Sequence, residues 1–164
     1  MAPVPGSRVG RRRGLMDRAE MDRTELLEAF AGFPARLAVA IDTVAGVPVA
    51  SGEWGPAENV RHLIAVEGEI WQARLALVAV EDGPRWTWVE PGLEPGFEGA
   101  SVDEIVAAFG EVRAETVATI RALDDAGWAR SGTHATYGVL DVAGLLRVAV
   151  DHDRDHIQGI VRAG

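Results

Sequence analysis

Residues 141–160 read DVAGLLRVAVDHDRDHIQGI, a stretch with the three- and four-residue spacing of an amphipathic helix. One face of that helix carries apolar side chains together with two histidines: Leu145, Ala149, His152, His156 and Ile160. Asp141 stands where a helix cap is expected. The histidine pair therefore faces the core, one turn apart, and this spacing can place two ring nitrogens on one metal ion.

Three further segments show helical periodicity, and no segment shows the alternation of a β-strand. We predict the first helix over residues 22–43, with a kink or a new start near Gly32 and Pro34. The second helix begins at Pro56 and runs to about residue 80. The third runs from Ser101 to about residue 127, with Ser101 and Glu104 as a capping box.

Residues 81–100 form a long connection, rich in Gly, Pro, Trp and Glu, between the second and third helices. Connections of this length inside a compact domain often cross over or cover a site. The sequence therefore predicts an all-α four-helix bundle with a long crossover between helices 2 and 3, rather than a simple up-down-up-down course.

The chain has 164 residues, enough for one domain and a short tail. We assign residues 1–20 to a disordered basic tail, in which Met16 or Met21 is an alternative start, and residues 21–164 to the bundle domain. The basic residues of the tail are not followed by an apolar stretch. We therefore expect no secretory signal and a cytoplasmic protein.

The net charge is -9, from 25 acidic and 16 basic residues, and an acidic domain repels the phosphate backbone of nucleic acids. No apolar run approaches the ~18 residues that span a membrane. The chain has no cysteine, which excludes disulfides, thiolate ligands and a cysteine nucleophile. We expect a small-molecule substrate and neither nucleic acid nor membrane as partner; a homodimer is compatible with the sequence.

A third metal ligand has to come from outside the fourth helix. His62 is the natural candidate, because it lies on the second helix with Val66 and Ile70 on a similar face. The pair itself has the spacing of the zincin motif, but Asp153 stands where that motif has its catalytic glutamate, so a protease is not predicted.

Two segments resemble the DinB-like (damage-inducible) superfamily: residues 54–63, WGPAENVRHL, and residues 134–158, which include HATYGVLDVAGLL and the two histidines. The resemblance covers roughly residues 22–161. It implies a four-helix bundle with an up-up-down-down course. It also implies one divalent metal ion on His62, His152 and His156. Imidazole ligands suit zinc, nickel or iron, so the metal is left open.

Some members of that superfamily are S-transferases that use low-molecular-weight thiols such as mycothiol or bacillithiol. The resemblance therefore favours a metal-dependent thiol S-transferase with a thiol co-substrate. A metal-dependent hydrolase is the first alternative, because three histidines leave a coordination position for water or substrate. A non-catalytic stress protein that binds a metal or another ligand is the second.

Other residues are weaker candidates. Glu58, one turn before His62, could orient that histidine or relay a proton, although helix capping explains it equally well. His134 could line the mouth of the site and is the second catalytic candidate. The remaining candidates are aromatic residues that could cover a ligand and arginines that could steer an anion: Trp86, Trp88, Phe97, Arg61 and Arg154.

Overall fold

The computed structural model describes residues 22–163, so the predicted tail over residues 1–20 lies outside the described residues. The helices are α1 (Arg23–Ala31), α2 (Phe33–Thr43), α3 (Pro56–Val66), α4 (Ala73–Val80), α5 (Val102–Arg121), α6 (Asp125–Ala129) and α7 (Val142–Ala163). A π-helical segment, Glu67–Gln72, joins α3 to α4. The four helices of the bundle are therefore α1 with α2, α3 with α4, α5, and α7.

Local signals in the sequence fix where these helices begin. The predicted capping box of α5 is confirmed: Ser101 Oγ accepts the backbone N–H of Glu104, and the Glu104 carboxylate accepts that of Ser101. Asp141 caps α7 by accepting the N–H of Gly144 at 2.7 Å. Pro56 opens α3, and the predicted break in the first helix falls at Gly32.

The prediction that the chain has no strand is wrong. Strands β1 (Arg85–Trp86), β2 (Ser131–His134) and β3 (Gly138–Asp141) form one small sheet, with β1 parallel and β3 antiparallel to β2. Two- to four-residue strands are too short to show alternation in the sequence, and their pairing depends on contacts distant along the chain. The third helix also ends earlier than predicted, at Arg121, and α6 follows as a separate turn.

The core shows the direction of each helix. One cluster of buried side chains joins the start of the first helix, the ends of the second and third, and the start of the fourth: Leu26, Phe30, Leu75, Val78, Val117, Ile120, Val142 and Leu146. The other cluster joins the opposite ends: Leu37, Ile41, Val60, Leu63, Ile105, Phe109 and Ile160. The course is therefore up-down-down-up, and the up-up-down-down course implied by the family resemblance is wrong.

The loop between α4 and α5 connects two parallel helices, so it has to travel along the bundle. Its first part pairs with β2, where Thr133 donates to the carbonyl of Pro84 at 2.8 Å. Its later part is fastened to α3 by two contacts between Glu94 and Arg61: the Glu94 N–H donates to the Arg61 carbonyl, and Arg61 Nε donates to the Glu94 carbonyl. The loop thus lies against the second helix.

A buried ion cluster sits where the two core clusters meet. Arg113 of α5 is 1% exposed and donates to Glu67 Oε2 at 2.8 Å and to Asp153 Oδ2 at 2.8 Å. The same guanidinium donates to the carbonyl of Phe30 at 2.9 Å and lies 3.7 Å from the centre of the Phe30 ring. All four bundle helices therefore meet at one side chain.

Among residues 22–163, no helix is long and apolar enough to cross a membrane.

We predict that Arg113→Met lowers the free energy of unfolding by about 3–5 kcal/mol, because it leaves two carboxylates buried without their counter-ion. Denaturant titration followed by circular dichroism measures the change. Arg121→Met, an exposed arginine at the end of the same helix, is the control and should change stability by less than about 0.5 kcal/mol. Equal stabilities of the two variants would contradict the role assigned to Arg113.

Candidate metal centre

Three histidines from two bundle helices come together beside the crossing loop. His62 of α3 and His152 and His156 of α7 each offer one ring nitrogen, and these three atoms lie within 4.8 Å of one another. The ring centres are 4.5 Å apart for His152 and His156 and 5.2 Å apart for His62 and His156. The structure therefore gathers the three residues that the sequence singled out as metal ligands.

The surroundings of His62 assign its two ring nitrogens. Nδ1 lies 3.2 Å from the carbonyl oxygen of Gly92, in the crossing loop. A carbonyl can only accept a hydrogen bond, so Nδ1 carries a hydrogen and Nε2 is the ring nitrogen left to bind a metal. The residue is 1% exposed, and the Trp54 ring packs against it at 5.0 Å between centres. Nε2 of His62 is therefore prepared to bind a metal.

Asn59 determines which ring nitrogen of His156 carries the hydrogen. Its side-chain nitrogen donates to the carbonyls of Trp54 at 3.1 Å and Gly55 at 3.0 Å, which fixes the orientation of the amide. The amide oxygen then accepts from His156 Nδ1 at 3.1 Å. This partner holds the hydrogen on Nδ1 and leaves the lone pair on Nε2, the arrangement that orients histidine ligands in metal sites.

His152 is the third member of the cluster. Its ring lies between two indoles, with centres at 6.0 Å from Trp71 and 5.8 Å from Trp88, and its Nδ1 is buried without a hydrogen-bond partner among the described residues. Burial and the neighbouring His156 lower the pKa of His152 to about 3, while burial and His62 lower the pKa of His156 to about 4. Both rings are therefore neutral near pH 7 and have a lone pair for a metal.

A carboxylate stands at the open side of the cluster. Glu90 Oε1 lies 3.5 Å from Nε2 of His62, the ring nitrogen that does not contact Gly92. The other oxygen, Oε2, accepts the indole N–H of Trp88 at 2.6 Å, so the carboxylate has a defined position. The Glu90 side chain is 66% exposed, which places it between the histidines and solvent.

The two catalytic candidates from the sequence are not brought into this cluster. Glu58 lies half-buried near the start of α3, without a hydrogen bond to a histidine or a capping bond to the helix amides. His134 lies on β2, where its ring packs against Tyr137 at 4.8 Å. Neither residue therefore has a contact that assigns it a role at the three histidines.

The aromatic residues and arginines named as weaker candidates lie in different parts of the structure. Trp88 contacts His152, as described above, whereas Trp86 lies beside the guanidinium of Arg74 at 5.6 Å. Phe97 packs on the core cluster that contains Leu37. Arg61 fastens the crossing loop, and Arg154 pairs with Asp151 on its own helix.

Asn59 and Glu90 were missed by the sequence analysis. The signal for Asn59 was available, because it precedes His62 by three residues and shares its helix face. No local signal points to Glu90, since a loop carries no periodicity and its approach to His62 depends on the course of the whole crossing loop.

Comparison with known proteins gives a family and a structural neighbour. A family model of the DinB superfamily matches residues 18–160. A search of the curated proteins found no match. Among solved structures, the chain resembles YfiT from Bacillus subtilis, described as a probable metal-dependent hydrolase with an unusual four-helix bundle topology. The TM-score is 0.62 at 19% identity, covering 99% of this chain and 91% of YfiT. At this identity the likeness shows the fold.

We predict that Asn59→Leu weakens the affinity for a divalent metal about 10- to 100-fold, because His156 loses the acceptor that fixes its tautomer. Competition titration with a chromophoric chelator measures the affinity. Gln72→Leu is the matched control, since the Gln72 amide donates to Val112 and Thr116 and contacts no histidine of the cluster, and it should bind metal much as the unaltered protein does. An Asn59→Leu affinity within twofold of the unaltered protein would rule out this role.

Proposed function

The chain belongs to the DinB superfamily, and we propose that it is a metal-dependent hydrolase with one divalent ion held by His62, His152 and His156. The observation that carries the proposal is the pairing of this histidine cluster with a fixed carboxylate, Glu90 Oε1, at 3.5 Å from Nε2 of His62. YfiT, the structural neighbour, is itself described as a probable metal-dependent hydrolase.

The residues present fit a metal. The partners of His62 and His156 on Nδ1 leave Nε2 as the ligand atom of each ring, and His152 has a buried nitrogen without a partner among the described residues. Three imidazoles are a ligand set for zinc, nickel or iron. A set of three protein ligands leaves a position for substrate or water, as catalytic rather than structural sites do.

A divalent ion bound there would polarise a carbonyl group and lower the pKa of a water molecule. Glu90 would act as the general base, taking a proton from an attacking water molecule and returning it to the leaving group. Trp88 holds the carboxylate by its 2.6 Å hydrogen bond, so this base does not have to be oriented during the reaction. The substrate class is a small ester or amide, and the indoles of Trp71 and Trp88 offer it an apolar wall beside His152.

Thiol S-transfer is the second candidate. The chain has no cysteine, so the sulfur would come from a co-substrate such as mycothiol or bacillithiol. Glu90 would then take its proton from the thiol, and the tryptophan wall would contact the apolar part of an electrophile. The same cluster could therefore activate either water or a thiol, and an activity assay is needed to distinguish the two functions.

The metal content of three variants tests the ligand set. We expect about one divalent ion per chain in the unaltered protein and less than a tenth of that in His62→Ala and His156→Ala. His134→Ala is the control, because His134 lies outside the cluster, and it should retain the metal. Elemental analysis after extensive dialysis gives the numbers. Full metal content in His62→Ala or His156→Ala would remove that histidine from the set.

The role of Glu90 is tested by Glu90→Gln. We expect kcat for a nitrophenyl ester to fall about 10²- to 10⁴-fold, the usual contribution of a general base, with unchanged metal content. Glu81→Gln, an exposed carboxylate of the same loop, is the matched control and should keep the rate.

A parallel assay separates the two candidate reactions. It follows conjugation of monochlorobimane with mycothiol, bacillithiol, glutathione or coenzyme A by the metal-loaded protein. Hydrolysis of the ester without added thiol, absent in His152→Ala, supports the hydrolase. Conjugation that needs a thiol and disappears in His152→Ala, with no ester hydrolysis, would falsify the hydrolase and assign S-transfer.

A further inference from the structure

Trp71 and Trp88 contact two different groups. Each packs against the ring of His152, and each also lies near the guanidinium of Arg74, whose Cζ is 5.7 Å from the Trp71 ring centre and 5.9 Å from that of Trp88. The Trp86 ring completes an aromatic surround at 5.6 Å. A second cluster of polar groups therefore lies next to the wall of the metal centre.

Arg74 is buried without a counter-ion. The residue is 4% exposed, and its Nη2 donates to the carbonyl of Thr87 at 3.2 Å. Nη1 is buried without a partner, and no carboxylate of residues 22–163 forms an ion pair with this guanidinium. Arg113, the other fully buried arginine described above, is compensated by two carboxylates. A buried cation of this kind is normally paired, so Arg74 lacks an anion.

His134 presents a second donor beside Arg74. Its Nδ1 accepts the backbone N–H groups of Thr136 at 2.9 Å and Tyr137 at 3.3 Å, so the ring hydrogen is on Nε2. Nε2 is buried without a partner in a residue that is 1% exposed. Burial, and then the charge of Arg74, lower the pKa of His134. The histidine is therefore a neutral donor.

Trp86 supplies the third donor. It pairs with His134 across the parallel strands β1 and β2, and paired residues of neighbouring strands point to the same face of a sheet. Its Nε1–H is also buried without an acceptor. The ring lies so close to Gly132 that a Cβ there would be 2.1 Å from two of its atoms, which shows how closely the indole is held.

Arg74 lies beside the Trp86 ring, and Trp86 is the strand neighbour of His134. Each of the three residues has a buried N–H donor without an acceptor among the described residues, and Arg74 adds a positive charge. Buried donors without acceptors are costly, and an anion that accepts hydrogen bonds from a guanidinium is the strongest way to satisfy them. We propose that Arg74, Trp86 and His134 form a binding site for a small oxyanion, a carboxylate or a phosphate group.

The position of this site indicates what the oxyanion belongs to. Trp71 and Trp88 each contact both His152 and the guanidinium of Arg74, so the two groups lie close to the same pair of indoles. A groove of about 460 Å³ lies beside Trp86 and is lined also by Arg85, Thr133 and Ala135. Resting on the proposed hydrolase, we assign the oxyanion as an acidic group of the substrate, with the ester or amide on the side of the histidines.

Binding is measured first, independently of any reaction. The indole N–H of Trp86 and the ring nitrogens of His134 are followed by nuclear magnetic resonance while sodium acetate or inorganic phosphate replaces sodium chloride at constant ionic strength. We expect a saturable shift of both signals that is weakened at least 10-fold in Arg74→Met. Arg121→Met, an exposed arginine at the end of α5, is the control and should bind as the unaltered protein does.

Two further variants keep the result interpretable. Trp86→Phe removes one donor and retains most of the ring, so binding read at His134 should weaken about 10-fold even if Arg74→Met proves unable to fold. His152→Ala, which lacks a metal ligand, should retain the shift, because the oxyanion does not bind at the metal. No saturable shift in the unaltered protein, an equal response in Trp86→Phe, or loss of the shift in His152→Ala overturns the site.

Hydrolysis then identifies the source of the oxyanion. We compare nitrophenyl acetate with the monoester of nitrophenol and succinate, which carries a free carboxylate. Arg74→Met should raise KM about 10-fold for the succinate ester and leave KM for the acetate ester unchanged. If Arg74→Met changes KM equally for both esters while the unaltered protein still shows the binding shift, the site is assigned to a free anion such as phosphate. If the unaltered protein hydrolyses neither ester, the proposed hydrolase function is wrong. The oxyanion site is then judged by the binding measurement alone.

Discussion

The guanidinium of Arg113 is the point on which the arrangement of the bundle depends. It bonds Glu67 in the second helix, Asp153 in the fourth and the Phe30 carbonyl in the first, and it comes from the third. Charges this deeply buried are tolerated only when geometry and pairing are good. The four helices therefore have fixed positions along the bundle axis. A shift of one helix along another would leave a buried charge unpaired.

That constraint also sets the metal centre. Asp153 directly follows His152 in α7, and Glu67 follows His62 by little more than one helical turn. When Arg113 bonds both carboxylates, it fixes the relative height of the second and fourth helices. The same contact brings His62 level with His152 and His156. The ion cluster and the histidines are thus two consequences of one alignment, one inside the core and one at its edge.

The starts of the helices and the pair of His152 with His156 could be predicted, because local sequence signals encode both. Ser101 with Glu104, Asp141 and Pro56 mark helix starts, and a four-residue spacing puts His152 and His156 on one face. The direction of each helix could not be predicted, because it depends on which ends pack together. The short strands and the approach of Glu90 to His62 were equally out of reach, since both follow from contacts distant along the chain.

Arg61 and Glu94 fasten the crossing loop at one end, and the pairing of β1 with β2 fastens it at the other. Between these two attachments lie Trp88 and Glu90, while the three histidines belong to helices. The carboxylate beside the histidine cluster and the histidines themselves are thus encoded in separate parts of the chain. Substitutions in this segment can change the surroundings of the cluster without changing the helices that carry the histidines.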